Sequence, residues 1–197
     1  MVSYNVMGFV RGFAYSMLCI GDFPIAILSL FTSSSNSGGI LMISISIPGF
    51  GSLNLAHLVL DYNGTLAVDG EPVPGVIERI ERLSQDLEVH VITADTFGTV
   101  KQKFEKRPCT VSVLGKENQD QAKLAYVNNL GAELTACIGN GRNDGLMLEG
   151  CALGMAVILR EGASVRTVQS ADLVFTCITD ALDILLNPLR LTASLRC

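Results

Sequence analysis

Hydrophobic and polar positions follow two distinct periods along most of the chain. Ile43, Ile45 and Ile47 alternate with Ser44 and Ser46, the period of a half-buried strand. Pro48-Gly49-Phe50-Gly51 supplies turn chemistry before a returning strand at Leu53 and Leu55. His57 to Leu60 is an apolar run that ends in an acid, Asp61. Between Pro74 and Leu87, Val76, Ile77, Ile80, Leu83 and Leu87 recur at helical spacing with charges between them. The alternation continues with a strand over 89–93, a short polar helix over 97–106 and a strand over 110–114. A helix over 118–130 follows, closed by Gly131 as C-cap. An apolar strand over 134–138 runs into Gly139-Asn140-Gly141, and a helix through 146–148 comes next. Strands at 152–158 and 173–175 and a last helix from Asp180 complete the pattern. Alternating strands and helices predict an α/β fold, a Rossmann-like three-layer sandwich with a mainly parallel sheet covered on both faces.

The front of the chain departs from this pattern. Up to Phe50 the only ionisable side chains are Arg11, Asp22, two tyrosines and Cys19. Gly12 to Phe31 has about the length of a membrane span, yet Asp22 and Pro24 sit in its middle. A charged Asp at the bilayer centre costs about 2.5–3.5 kcal/mol on insertion scales. A signal peptide fits poorly, because Thr32 to Gly39 lacks a small-x-small site behind a basic start. Three readings stay open for residues 1–41: an over-extended gene start with Met42 as the initiator, a membrane anchor, or a folded accessory element. Residues 42–197 are read as the α/β domain.

Composition narrows the class further. With 197 residues the chain can bury one substantial core. A formal net charge of -5 gives no footprint for nucleic acid. The six cysteines form no CxxC pair and no histidine clusters with them in sequence, which argues against a zinc site. Cys109 and Cys137 read as small core residues. Scattered unpaired thiols favour a reducing compartment, hence the cytoplasm, with membrane attachment through residues 12–31 left open. His57 and His90 flank or enter strands and read as packed or surface residues.

In an open parallel sheet, ligands bind beyond the carboxyl ends of the strands. Three predicted strands end there in polar groups: Asp61, then Thr93 followed by Ala94, then Gly139-Asn140-Gly141. Asp144 starts the next helix, and Lys123 on the preceding helix could reach in from the side. A carboxylate at a strand end can attack phosphorus and hold a hard cation. Gly64 permits close backbone approach, and N–H groups of its loop can cradle phosphoryl oxygens. Thr93 can donate a hydroxyl bond, Lys123 can neutralise charge, and Asp144 can orient a metal or its water. Each element alone has an ordinary structural explanation: a turn, a strand end, a solvated lysine, a helix cap.

Taken in order, Asp61-Tyr-Asn-Gly-Thr65, Thr93, Lys123 and Gly139-Asn-Gly-Arg-Asn-Asp144 resemble the four motifs of the haloacid dehalogenase (HAD) superfamily. The nearer resemblance is to the phosphorylation domain of P-type ATPases and their soluble relatives. There the pattern is Asp-Lys-Thr-Gly-Thr, Thr-Gly-Asp, Lys and Gly-Asp-Gly-x-Asn-Asp. Lys123-Leu-Ala-Tyr-Val127 resembles their lysine-bearing helix, and Ala156 to Val174 their closing βαβ segment. The resemblance covers Leu53 to the C-terminus. It implies a magnesium-dependent phosphohydrolase acting through an aspartyl-phosphate on Asp61. Thr93, Ala94, Lys123, Gly64 and Thr65 would hold the phosphoryl group. Asp61, Asn63 through its carbonyl, Asn140 and Asp144 would hold Mg²⁺. Lys116 is an alternative for the lysine role.

Two residues depart from the family pattern. Asn63 stands where most of the family's phosphatases carry an Asp that works as general acid and base. Positioned acid–base groups contribute about 10²–10⁴ in rate, so acyl phosphates and phosphoanhydrides are the better substrates expected here. Asn140 stands where a metal-ligating Asp is usual, which lowers the charge offered to the cation. Both changes also fit a phosphate- or metal-binding regulatory module without turnover. Only a short flap around 67–73 fits between the motifs, so no large cap domain is expected. By the resemblance, a small phosphorylated substrate or nucleotide is the partner, with a second copy as a candidate lid.

Overall fold

The computed structural model describes residues 5–10, 13–20, 23–25, 41–94, 99–115 and 117–197. The chain divides into two compact units, Met1–Gly39 and Ile40–Cys197. In the first, β1 (Asn5–Val10), β2 (Phe13–Ile20) and β3 (Phe23–Ile25) form an antiparallel sheet in that order. The candidate membrane segment 12–31 therefore contains two strands, while its residues 12, 21–22 and 26–31 lie outside the described residues. No helix among the described residues is long and apolar enough to cross a membrane.

The second unit opens with the expected hairpin, β4 (Ile43–Ile47) antiparallel to β5 (Gly51–Leu55). Next come β6 (His57–Asp61), the small hairpin β7 (Ala67–Val68) with β8 (Glu71–Pro72), α1 (Val76–Leu83) and β9 (Glu88–Thr93). Then follow α2 (Thr99–Lys103), β10 (Thr110–Val113), α3 (Gln119–Leu130), β11 (Thr135–Gly139) and α4 (Gly145–Gly150). The chain closes with β12 (Leu153–Val157), α5 (Val165–Gln169), β13 (Leu173–Phe175), α6 (Ile178–Leu186) and α7 (Pro188–Leu195). The single last helix expected from Asp180 is thus two. Pro188 has no N–H to continue the ladder, and it holds Asn187 out of the helical region at φ −134°, ψ 72°.

The central sheet has six strands in the order β10-β9-β6-β11-β12-β13. Every neighbouring pair is parallel. Both faces are covered, which is why its strands read as unbroken apolar runs. Leu58, Leu60, Val91 and Ile138 pack with Val76 and Ile80 of α1 and Ile178 and Leu182 of α6. Val59, Ile92 and Cys137 pack on the other side with Val127 of α3 and Met147 and Leu148 of α4. The result is the Rossmann-like three-layer α/β architecture, and no inserted domain interrupts the sheet among the described residues. The β7–β8 hairpin is a small flap tied down by the Tyr62 hydroxyl and Lys103 Nζ, which both donate to Gly70 O.

The strand order sets the stage for a site. From β6 the chain moves outward to β9 and β10, then returns to the other side of β6 as β11. The junction of β6 and β11 is a topological switch point, where the connections diverge and leave a crevice at the carboxyl ends.

Candidate active site at the switch point

Asp61 closes β6 at this crevice. Leu60 is in register with Ile138, so the loop after β11 leaves beside Asp61. On α3, Val127 packs into the second apolar cluster, and Lys123, one turn earlier, shares its face. Packing that face carries Lys123 to the end of the sheet, where it is 2% exposed. Its Nζ lies 2.6 Å from Asp61 Oδ1 and 2.5 Å from Asp144 Oδ1. A lysine that would by default be solvated is here the bridge between two carboxylates.

Asp144 is fully buried. Its Oδ2 accepts the backbone N–H of Asn140 at 2.9 Å and of Gly141 at 2.8 Å. Residue 139 must be glycine, because a Cβ there would stand 2.5 Å from Asp144 Cγ. Asn140 is held from both ends: Thr65 Oγ1 donates to its Oδ1 at 3.1 Å, and its Nδ2 donates to Gly162 O at 3.0 Å. A carboxylate at 140 would lose the Gly162 bond. Gly64, at φ +76°, lies so close that a Cβ would overlap the Asn140 amide.

Gly64 and Thr65, expected at the substrate, are buried and shape the loop. The N–H groups of Thr65, Leu66 and Ala67 turn inward to Tyr62 O, and that of Gly64 to Ala67 O. The amides of 64–67 therefore close the loop on itself. Asn63 is exposed at the loop tip. Thr93 is 2% exposed at the end of β9, next to β6, and Ala94 follows it half-buried. Lys116 lies outside the described residues. Beside the cluster is an open cleft of about 430 Å³ whose lining includes Gln119, Arg142, Asn143 and Arg166 but not Asp61.

The electrostatics are those of two acids sharing one base. Burial, then repulsion from Asp144, raise the Asp61 carboxyl from 3.8 to about 7, against the pull of Lys123. Burial lowers the Lys123 ammonium, but Asp61 and Asp144 together outweigh it and leave it above the ordinary lysine value. Because the folded state binds the Asp61 proton more tightly than the unfolded chain, its contribution is full below pH 3.8 and is lost as pH rises to about 7. Asp61→Asn should therefore raise the metal-free melting temperature at pH 8, with the gain shrinking as pH falls toward 4. Thermal melts in a chelating buffer across that range check this.

No family model matches the chain. A segment of 59 residues, 30% of the chain, is 52% identical to an uncharacterised protein of Methanocaldococcus jannaschii, covering 63% of it. The chain thus spans less than two thirds of that relative. A segment of 39 residues is 44% identical to a second uncharacterised protein of the same organism, covering 89% of it. Solved structures align over most of the α/β unit. The cobalt-bound deoxy-D-mannose-octulosonate 8-phosphate phosphatase of Haemophilus influenzae aligns with a TM-score of 0.58 at 17% identity, over 71% of this chain and 91% of that one. The 3-deoxy-D-manno-octulosonate 8-phosphate phosphatase of Moraxella catarrhalis, in complex with magnesium, phosphate and KDO, aligns at 0.54 with 14% identity, over 71% and 90%. A phosphoserine phosphatase in apo form aligns at 0.53 with 15% identity, over 68% and 98%. A six-stranded parallel sheet, aligned over nearly the whole of these phosphatases, shows that the chain shares their fold.

Proposed function

We propose that the chain is a magnesium-dependent phosphohydrolase in which Asp61 is the nucleophile. The observation that supports this most is the buried Lys123 held between Asp61 and Asp144 at the switch point. Lys123 occupies Asp61 Oδ1, which leaves Oδ2 as the attacking atom. Attack forms the Asp61–phosphorus bond while the bond from phosphorus to the leaving oxygen breaks, its electron pair staying on that oxygen. Water then attacks the aspartyl-phosphate, releasing phosphate and restoring the carboxylate. Lys123, with Thr93 and Ala94 at the neighbouring strand end, meets the charge of the transferring group.

A hard divalent cation fits the donors. The Asp61 carboxylate, the main-chain carbonyl of Asn63 and the second lone pair of Asn140 Oδ1 are oxygen ligands of the kind Mg²⁺ takes. Burial first, and then repulsion from Asp144, raise the Asp61 carboxyl, and a bound cation would favour its charged form. When bound, magnesium would supply charge compensation for the phosphoryl oxygens. Asp144 also holds Lys123 through Oδ1 and the Asn140–Gly141 turn through Oδ2, and its remaining lone pairs could add a further oxygen to the cation. Among the described residues only the β7–β8 flap stands beside it, which suits a small phosphorylated substrate or nucleotide, and a second copy could serve as its lid. Arg142 and Arg166 in the adjacent cleft favour an anionic leaving group.

Phosphate release from acetyl phosphate, p-nitrophenyl phosphate and ATP, with and without Mg²⁺, tests the reading. Absence of Mg²⁺-dependent turnover on all three overturns it. The amides at 63 and 140 favour a second reading, a regulatory module that binds phosphate without turning it over. Its mark is Mg²⁺-dependent stabilisation by beryllofluoride with no phosphate release. Asn63 also makes a sharper prediction. Asn63→Asp restores a group able to exchange a proton, so hydrolysis of an alkyl phosphate such as glycerol phosphate should rise by about 10²–10⁴. Acetyl phosphate, whose leaving group needs no proton, should change far less.

A further inference from the structure

Three polar side chains meet near the amino end of the sheet, opposite Asp61. His57 and Glu88 are in register on β6 and β9, and His90 stands two residues further along β9. The two-residue period puts all three on one face of the sheet, the face that α3 covers. A nitrogen of each imidazole and a carboxylate oxygen of Glu88 lie within 4.8 Å of one another. His57 Nδ1 and His90 Nε2 are buried there with no hydrogen-bond partner, and His90 is only 6% exposed. Leaving two such atoms unpaired costs their full desolvation, so their meeting in one place calls for a ligand.

The geometry says which kind. His57 Nδ1 stands 3.3 Å from Glu88 Oε2, outside hydrogen-bond geometry but close to the edge of a tetrahedron with metal–ligand distances of about 2.0–2.1 Å. On its far side, His90 Nδ1 is 3.0 Å from the Tyr126 hydroxyl, which is 3.0 Å from Ser112 Oγ. Were Nδ1–H to donate to tyrosine and tyrosine to serine, His90 would have the tautomer whose Nε2 lone pair is free for a metal. Outer hydrogen bonds of this kind orient metal-binding imidazoles. A cleft of about 320 Å³, with Glu88, His90, Pro108, Cys109 and Thr110 in its lining, offers a way in. The Glu88 side chain is 68% exposed, which leaves room for its carboxylate to complete the set.

We propose that His57, Glu88 and His90 form a second metal site, for a divalent ion of the zinc or cobalt type. Two imidazoles and one carboxylate select such ions over magnesium, and a fourth position stays open for water. Through Tyr126 the site braces α3, the helix that carries Lys123 three residues earlier.

The test is a Co²⁺ titration of the full chain bearing Asp61→Asn, read by visible absorption and by melting temperature. The expected result is one equivalent bound with the bands of four-coordinate Co²⁺, displaced by Zn²⁺ but not by excess Mg²⁺, and a higher melting temperature. Both signals should disappear in His57→Gln and in His90→Gln added to that background. His57→Gln alters a partly exposed side chain, so it reports even if His90→Gln fails to fold. No visible bands, bands that survive His57→Gln, or thiolate charge-transfer bands would each overturn the proposal. No arm depends on turnover, so failure here is separate from failure of the phosphohydrolase reading.

Discussion

Asp61→Asn is expected to abolish Mg²⁺-dependent phosphate release, by at least about 10³-fold, while the protein stays folded. The substitution conserves size and removes the attacking oxygen's charge. It leaves Lys123 paired with Asp144, so the cluster keeps one acid for its one base. Loss of an activated nucleophile cannot be made good by neighbours, because no other carboxylate oxygen of the cluster is disengaged. The Asp144 oxygens are committed to Lys123 and to two backbone N–H groups. Phosphate release from acetyl phosphate measures the effect, and a covalent phosphoryl adduct sought by mass spectrometry should be absent in the variant. Full activity in folded Asp61→Asn would remove Asp61 from the chemistry. Taken with the expected gain in metal-free stability at pH 8, this variant separates function from folding: it should be the dead protein that melts higher.

Lys123→Met is expected to lose both activity and stability. Removing one partner of a buried ionic cluster costs about 3–5 kcal/mol, because the charges left behind are neither paired nor solvated. For a chain of this size that corresponds to a fall in melting temperature of roughly 10 °C. The sign with pH follows from which groups remain. Asp61 and Asp144 repel each other, and protonation of Asp61 relieves that repulsion, so the loss should be larger at pH 8 than at pH 5. Asp144→Asn added to Lys123→Met should recover part of the stability and none of the activity. The pair of variants forms half of a double-mutant cycle that reports the Lys123–Asp144 coupling directly. A Lys123→Met protein as stable as the parent would show that the ammonium does not sit between the two carboxylates.

Much of the fold is legible in local patterns. Hydrophobic period two marks β4 and the return at β5, and the unbroken run of β6 marks a strand buried on both faces. Period 3.6 marks α1 and α3, and Gly131 after α3 sits at φ +98°, a conformation a side chain would strain. The exceptions were helix ends. α1 stops at Leu83, short of Leu87, and the last helix is broken at Asn187-Pro188. Periodicity says which face is apolar but not where the backbone ladder ends, since the last turns depend on capping and on what they pack against.

The candidate site divides the same way. Asp61, Asn63, Thr93, Asn140 and Asp144 could be picked out because each follows or ends an apolar strand. What each touches could not. The Asn140 amide bridges Thr65 and Gly162, residues 75 and 22 positions away in sequence. Gly64 and Thr65 also fix the loop and Asn140, a part that no local pattern announces. His57 and His90 looked uninformative for the same reason. They belong to different strands, and only the β6–β9 register brings them together with Glu88.

The sequence by itself determined the succession of strands and helices, the buried character of the sheet and the chemical types available at its strand ends. These depend on spacing between near neighbours, which the chain carries locally. Tertiary structure alone decided that β11 returns beside β6, that packing of the Val127 face delivers Lys123 to Asp61 and Asp144, and that two separated histidines stand side by side. Those outcomes depend on strand order, register and burial, which arise only when distant segments compete for the same core.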